Sequence, residues 1–441
     1  MGLAHLSKTA RPAWTRRQAG PFSHLIPLLI AIASSAPALA DPPPRMIAAA
    51  FNEDETGSGQ VVGIRAVSPW DQLEGPLPVG ADATLRSAFG RVYAVSKSED
   101  SVTVIDVATW SVEQVIDTGV GSQPIDIAVV DANTAYVSRR GDTHLLRVDL
   151  NSWATEAVVD LSPLADVDGI PEMAWMAIHN GNLFVQLERF NDGEPYGFIP
   201  PATLAVVDLA SEQLLDLDPL KEGLQGLELL GTAAKHKMQI LPGTSTLYLS
   251  ASGQFFDRGG LESVNLDTLQ SNGLILEETV GEIGADLGCF VFTSPTKGYL
   301  VFSTDLIEST HLVDFNDAAE IGPEIISIVA YRAPTLLHEI ASDTIFLPQG
   351  VNKANGLHVF AAADGTQLTA NPVPLAGTPT DIAFVCDASN VCGDEACPAQ
   401  PSCIAVPALG PGAAGLAALV LLSAAILRLV GTGRARVPDA R

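Results

Sequence analysis

The feature that most constrains this chain is a weak repeat from about Met46 to Val385, with a period of about 50 residues. A unit opens with Pro124-Ile125-Asp126-Ile127-Ala128-Val129 and turns at Asp131-Ala132-Asn133. It continues through Ala135-Tyr136-Val137-Ser138, His144-Leu145-Leu146-Arg147-Val148-Asp149-Leu150 and the stretch from Ala154 to Leu161. Apolar residues alternating with polar ones between closely spaced turns are the pattern of short antiparallel strands. First strands are expected at Ala83–Phe89, Ile125–Val129, Met173–Ile178, Lys237–Leu241, Gly288–Phe292, Leu336–Ile340 and Thr380–Val385. Second strands are expected at Met46–Phe51, Val92–Val95, Ala135–Ser138, Leu183–Gln186, Leu247–Ser250, Tyr299–Phe302 and Thr344–Leu347. Third strands carry a Val/Leu-Asp signature at Asp106, Asp149, Asp208 and Asp314, with Asn265 in its place once.

The two ends of the repeat are complementary. The last first strand has nothing after it, and the first second strand has nothing before it. One blade must then take three strands from the N-terminus and one from the C-terminus, which removes an open sheet edge. The expected fold is all-β: a seven-bladed β-propeller of four-stranded antiparallel blades, closed by a shared N- and C-terminal blade.

The residues Val92-Tyr93-Ala94-Val95-Ser96, Ser101-Val102-Thr103-Val104-Ile105-Asp106 and Thr109 carry a family likeness. So do Gly121-Ser122-Gln123-Pro124-Ile125-Asp126-Ile127-Ala128 and Gly377-Thr378-Pro379-Thr380-Asp381-Ile382-Ala383. They resemble the YVTN type of β-propeller repeat over about 340 residues. The resemblance implies a ring and leaves function open, since similar rings serve as binding scaffolds, lyases, lactonases and redox enzymes.

Both termini read as targeting segments. Lys8, Arg11, Arg16 and Arg17 precede the apolar run from Leu25 to Ala33, and Ala38-Leu39-Ala40 is a small-residue cleavage site. Residues 1–40 are therefore expected to be a secretory signal peptide. At the other end, Val406-Pro407-Ala408-Leu409-Gly410-Pro411 precedes an apolar run from Gly412 to Leu427, with Arg428, Arg434, Arg436 and Arg441 around and after it. That length and the basic end predict a transmembrane helix with its C-terminus in the cytoplasm and the propeller outside. Short motif, helix and basic tail resemble bacterial C-terminal sorting tags of the PEP-CTERM and IPTL-CTERM kind. The resemblance implies an exosortase-like processing enzyme as a partner. A permanent single-span anchor is the other expectation. The domain plan is 1–40 signal, 41–385 propeller, 386–405 cysteine-rich stalk and 406–441 tail.

Cys386, Cys392, Cys397 and Cys403 crowd the stalk. In a secreted protein this predicts two disulfides, with three pairings open. Spacings of 6, 5 and 6 lack the paired knuckles of a four-cysteine zinc site. Cys289 falls on a first strand and is expected to be a buried packing residue.

The formal charge is −27, and loss of residues 1–40, with four basic and no acidic residues, makes it −31. Nucleic acid is excluded as a partner class, because phosphate binding needs a basic patch. No Gly-x-Ser-x-Gly elbow, P-loop, dinucleotide fingerprint or paired-histidine metal motif is present. In a propeller the starts of the innermost strands line one mouth of the channel. This nominates Arg86, Asp126, Glu172, His236, Lys237, Asp286, His338, Glu339 and Asp381 as ligand-binding candidates. Asp126 and Asp381 occupy equivalent positions, which also suits hydrogen bonds between neighbouring blades. The acidic loops with Asp54 and with Asp166 and Asp168 offer oxygen ligands for calcium, or ordinary polar turns. The insertion from Glu188 to Pro201 carries Phe190, Tyr196 and Phe198, a candidate recognition surface. Trp110 and Trp153 both follow third strands and are expected to pack between blades. The leading expectation is a secreted, surface-attached binding module for a protein, glycan or small ligand. An enzyme at the channel mouth (a lactonase-like hydrolase, or a lyase using a divalent cation) and a structural surface component are the alternatives.

Overall fold

The computed structural model describes residues 45–385 apart from interruptions at 54–55, 189, 192–196, 199–201, 232, 235, 242, 253–258, 279–285, 305–306, 315–320, 330–334, 341 and 351–354. It also describes 391–392 and 395–396. The chain divides into two compact units, Met1–Pro43 and Pro44–Arg441, and every described residue lies in the second.

The repeat folds as its alternation requires. Thr84–Ala88, Arg91–Ser96, Ser101–Asp106 and Ser111–Asp117 form one antiparallel sheet in chain order. Pro124–Val129, Thr134–Arg139, His144–Asp149 and Thr155–Asp160 form the next. Further sheets start at Met173–His179, at Ala233–Ala234 with Gln239–Ile240, at Asp286–Ser294 and at Leu337–Glu339. Those beginning at Met173 and Ala233 carry a fifth short strand. Six sheets of four or more strands are thus built from consecutive strands among the described residues. One more sheet joins the ends: Gln72–Val79, Gly59–Arg65 and Met46–Glu53 are completed by Gly377–Phe384. The closing pair runs antiparallel from Ile47 opposite Phe384 to Glu53 opposite Gly377.

Side chains alternate between the two faces of each sheet, so each sheet is buried on both sides by its neighbours. Val92 and Ala94 pack toward the end-joining sheet with Ala50 and Leu85. Tyr93 and Val95 pack the other way, with Val137 and Val148. The same sandwiching recurs for Leu145 with Leu183, Leu204 with Leu247, and Leu261 with Phe290. It closes with Val301 against Ile345 and Phe346 against Ile64. These clusters link every sheet to the next and return to the first, which makes the unit a β-propeller of four-stranded antiparallel blades.

The third-strand signature is a turn device. Asp106 accepts the Thr109 N–H at 2.7 Å, Asp149 the Asn151 N–H at 2.8 Å and Asp208 the Ser211 N–H at 2.7 Å. Asn265 accepts the Thr268 N–H at 2.9 Å in the same way. Four residues after each, Trp110, Trp153, Glu212 and Leu269 have positive φ values of 44°, 62°, 53° and 53°. The two tryptophans do pack between blades. Trp110 is buried and its Nε1–H donates to the Gly75 carbonyl of the end-joining sheet at 2.7 Å. Trp153 packs beneath the Arg91 guanidinium, 5.0 Å from its ring centre. Cys289 is buried against Val301 and Ile345, as expected.

The transmembrane helix is not supported. Among the described residues no helix is long and apolar enough to cross a membrane, and only a 3₁₀ turn, Ser162–Leu164, is helical. Residues 406–441 lie outside the described residues, as do residues 1–40 and the side chains of the four stalk cysteines.

Candidate functional site

The propeller's middle is occupied by charge. Asp381 sits on the closing strand, fully buried. Its carboxylate accepts the Leu85 N–H of the next blade at 2.6 Å, the Ile382 N–H at 2.8 Å and the Thr335 hydroxyl. Asp126 does the same two blades further on, accepting the Met176 N–H at 2.9 Å and the Ile127 N–H at 2.9 Å. These are the inter-blade bonds that the equivalent repeat positions suggested. Each carboxylate is neutralised by a cation from another blade. Arg86 pairs with Asp126 through Nε at 2.8 Å and Nη2 at 2.7 Å, the planar bidentate geometry of strong guanidinium–carboxylate pairs. Lys237 donates to Asp381 at 2.6 Å and to the Leu85 carbonyl at 2.6 Å.

Lys237 reaches Asp381 because its own inner strand is broken. Ala233–Ala234 and Gln239–Ile240 both pair with Thr246–Ser252, and Lys237 lies between them, outside the ladder. Its sheet packs between those that carry Leu204 and Phe290, and so is next to neither the Leu85 nor the Asp381 sheet. The side chain therefore crosses the channel, fully buried at its charged end. Burial pulls the Lys237 ammonium below the usual lysine range, while Asp381 holds it charged. Burial likewise lifts the Asp381 carboxyl against the pull of Lys237. Burial lowers Arg86, but the adjacent Asp126 outweighs it and leaves the guanidinium more basic than usual.

Other nominated residues scatter. Glu172 is buried at the start of its inner strand, at the mouth, where its carbonyl accepts the Glu188 N–H at 3.1 Å. His236 is buried beside Lys237. His338 and Glu339 lie at the opposite end, at the turn between first and second strands, which corrects their placement at the mouth. That inner strand is only three residues long, so its last two positions already meet the turn. His338 Nε2 is 3.0 Å from Asp343, and Glu339 pairs with Arg45 and the Ser342 N–H. Burial lowers the His338 imidazole despite Asp343. Asp286 is the first residue of its inner strand, opposite Ser303.

The calcium loops resolve differently. Asp166 accepts the Asp168 N–H at 3.2 Å, and Asp168 the Ile170 N–H at 2.8 Å, as in an ordinary polar turn. Asp54 lies outside the described residues. Among the described residues no three His, Cys, Asp or Glu side chains converge as metal ligands. In the long insertion, Phe190–Asn191 pairs with Gly197–Phe198 as a short hairpin, and the side chains lie outside the described residues.

Sequence reading missed a cluster at the mouth. Lys97, Arg140 and Glu188 each follow directly on the last residue of a second strand, in three consecutive blades. Arg140 Nη2 lies 2.9 Å from Glu188. Burial and the neighbouring Arg140 pull Lys97 below the usual lysine range, opposed by Glu188 and Asp82. Burial pushes Glu188 above the usual carboxyl range against Arg140 and Lys97. Their shared register just past the second strand was the available signal. It was hidden because these positions fall in loops whose alternation has ended.

No protein-family model and no curated protein sequence matches this chain. Solved structures do. A dihydro-heme d1 dehydrogenase, NirN, in complex with DHE, is 13% identical with a TM-score of 0.51, over 78% of this chain and 76% of that one. A 6-phosphogluconolactonase candidate from Bacteroides fragilis is 11% identical with a TM-score of 0.52, over 79% and 99%. Apo AztD from Citrobacter koseri is 11% identical with a TM-score of 0.45, over 78% and 98%. At such identities the first two likenesses establish the propeller fold alone.

Proposed function

We propose that this protein is an exported, surface-attached propeller that works as a binding module, with its ligand held at the mouth where the second strands end. The observation that carries this reading is the filled centre. Lys237 crosses the channel and is neutralised there, so the middle of the ring is spent on holding blades together. The half-buried charges Lys97, Arg140 and Glu188 gather instead at one rim. Partly desolvated charges converging from separate elements are what a recognition site is built from. On this reading the end-joining sheet is the seventh blade of the ring and the YVTN-like repeats are its units. Residues 1–40 direct export, the four stalk cysteines form two disulfides, and the tail after Pro407 anchors the ring or is cut by an exosortase-like enzyme.

The test is a melting-temperature screen of the purified protein against a defined panel of sugars, peptides, nucleotides and organic acids. It is repeated with the exposed Ser98 enlarged in Ser98→Trp to crowd the rim. A ligand that stabilises the wild type and loses its effect on the variant supports the reading. No stabilisation by any member, or stabilisation indifferent to the variant, defeats it. Mass spectrometry of the native protein tests the tail, since an intact tail refutes cutting.

A second reading, an enzyme at the same rim, is favoured by Lys97 and Glu188 being moved toward their neutral forms, a base beside an acid. Hydrolysis of simple γ- and δ-lactones that Glu188→Gln abolishes would favour it over binding alone.

A further inference from the structure

Lys97 and Arg140 each follow the last residue of a second strand in neighbouring blades, and the Arg140 charge acts on Lys97, in a chain with 24 basic and 51 acidic residues. Like charges in a half-buried setting repel, and an acidic chain has many carboxylates with which to separate them. The carboxylates near Lys97 are committed elsewhere. Glu188 is paired with Arg140, and Asp82 accepts the Asn52 amide at 2.8 Å. On the next loop, Asp100 accepts the Gly121 N–H at 2.6 Å and the Gln123 N–H at 2.8 Å. Among the described residues, none lies within ion-pair distance of the Lys97 ammonium. Resting on the binding reading, we infer that the rim is an anion site that takes a small carboxylate or phosphate group between the Lys97 ammonium and the Arg140 guanidinium. Arginine supplies a planar fork and lysine a mobile point charge, the pairing that grips an oxyanion from two sides. Glu188 holds the guanidinium through one contact, 2.9 Å from Nη2.

The experiment is calorimetric titration of the full-length protein in mild detergent with inorganic phosphate and, separately, succinate, at low salt and mildly acidic pH. One saturable site for at least one anion is expected. Phosphate without succinate assigns a phosphate ligand, and the reverse assigns a carboxylate. Lys97→Met is expected to weaken binding at least about tenfold and Lys97→Arg to keep it within about threefold. Wild-type affinity should fall as pH rises through the lowered Lys97 range, earlier than for an ordinary lysine. The charged groups facing Lys97 are Arg140, Glu188 and Asp82. If Lys97→Met does not fold, the Lys97→Arg comparison and the wild-type pH profile decide. Binding by neither anion, or equal binding to Lys97→Met, overturns the inference. A neutral panel ligand lost on Ser98→Trp, with neither anion bound, would leave the binding reading standing and remove only this one.

Discussion

Lys237 and Asp381 show how much a single buried pair decides. Two desolvated charges cost more than their attraction returns unless every remaining donor and acceptor is satisfied. Here the Leu85 and Ile382 N–H groups and the Thr335 hydroxyl donate to Asp381, and the Leu85 carbonyl accepts a second bond from Lys237. Asp381→Asn should leave the ammonium buried and unpaired, costing about 3–5 kcal/mol in urea unfolding. Adding Lys237→Met to that variant should recover at least about 2 kcal/mol, because the stranded charge is gone. A double variant no more stable than the single one would mean that Lys237 is not held by Asp381. The acidic partner was legible in the repeat, since Asp126 and Asp381 share one blade position. The cation was not, because Lys237 acts across the ring, and no local pattern encodes which distant blade a long side chain will meet.

At the scale of elements, the turn after the third strand is the repeated machine part. Its side-chain oxygen caps two backbone N–H groups, and the residue four positions on takes a left-handed backbone. Hydrogen bonds from Thr109 lower the Asp106 carboxyl, those from Asn151 lower Asp149, and those from Ser211 lower Asp208. A carboxyl lowered in the fold adds stability above its unfolded value, and that stability is lost as pH falls through the folded value. Acid unfolding should therefore steepen below about pH 4. Replacing all three with Asn should flatten that limb, as Asn265 already makes the same turn without a titrating group. Unchanged pH dependence in the triple variant would show that these caps do not set acid stability. Trp110 belongs to the same turn and ties it to the neighbouring blade. Trp110→Phe should cost about 1 kcal/mol by thermal unfolding, the worth of its bond to the Gly75 carbonyl. A variant as stable as wild type would show that bond to be idle. The strands were legible because alternation is a local property. The inner strand expected at Lys237–Leu241 keeps only Gln239–Ile240 in the ladder and gains Ala233–Ala234 before it, because the polar pair His236-Lys237 leaves the ladder between them.

For the molecule as a whole, the pairing of Met46–Glu53 with Gly377–Phe384 is the decisive contact. Without it the chain presents an unpaired inner edge and an apolar face with no neighbour. Removing residues 377–441 should yield aggregated protein in size-exclusion chromatography, whereas removing 406–441 should leave the ring folded. A monodisperse truncation at Ala376 would show that the ring does not depend on its closure. The sequence by itself determined the strands, the turn chemistry and the complementary ends, because each rests on neighbours in the chain or on a missing partner that only the other end supplies. The tertiary structure alone decided that His338 and Glu339 sit at the far end, that Lys237 bars the channel, and that Lys97, Arg140 and Glu188 meet at the rim. Such meetings depend on the closed ring's geometry, where residues far apart in the chain become neighbours in space.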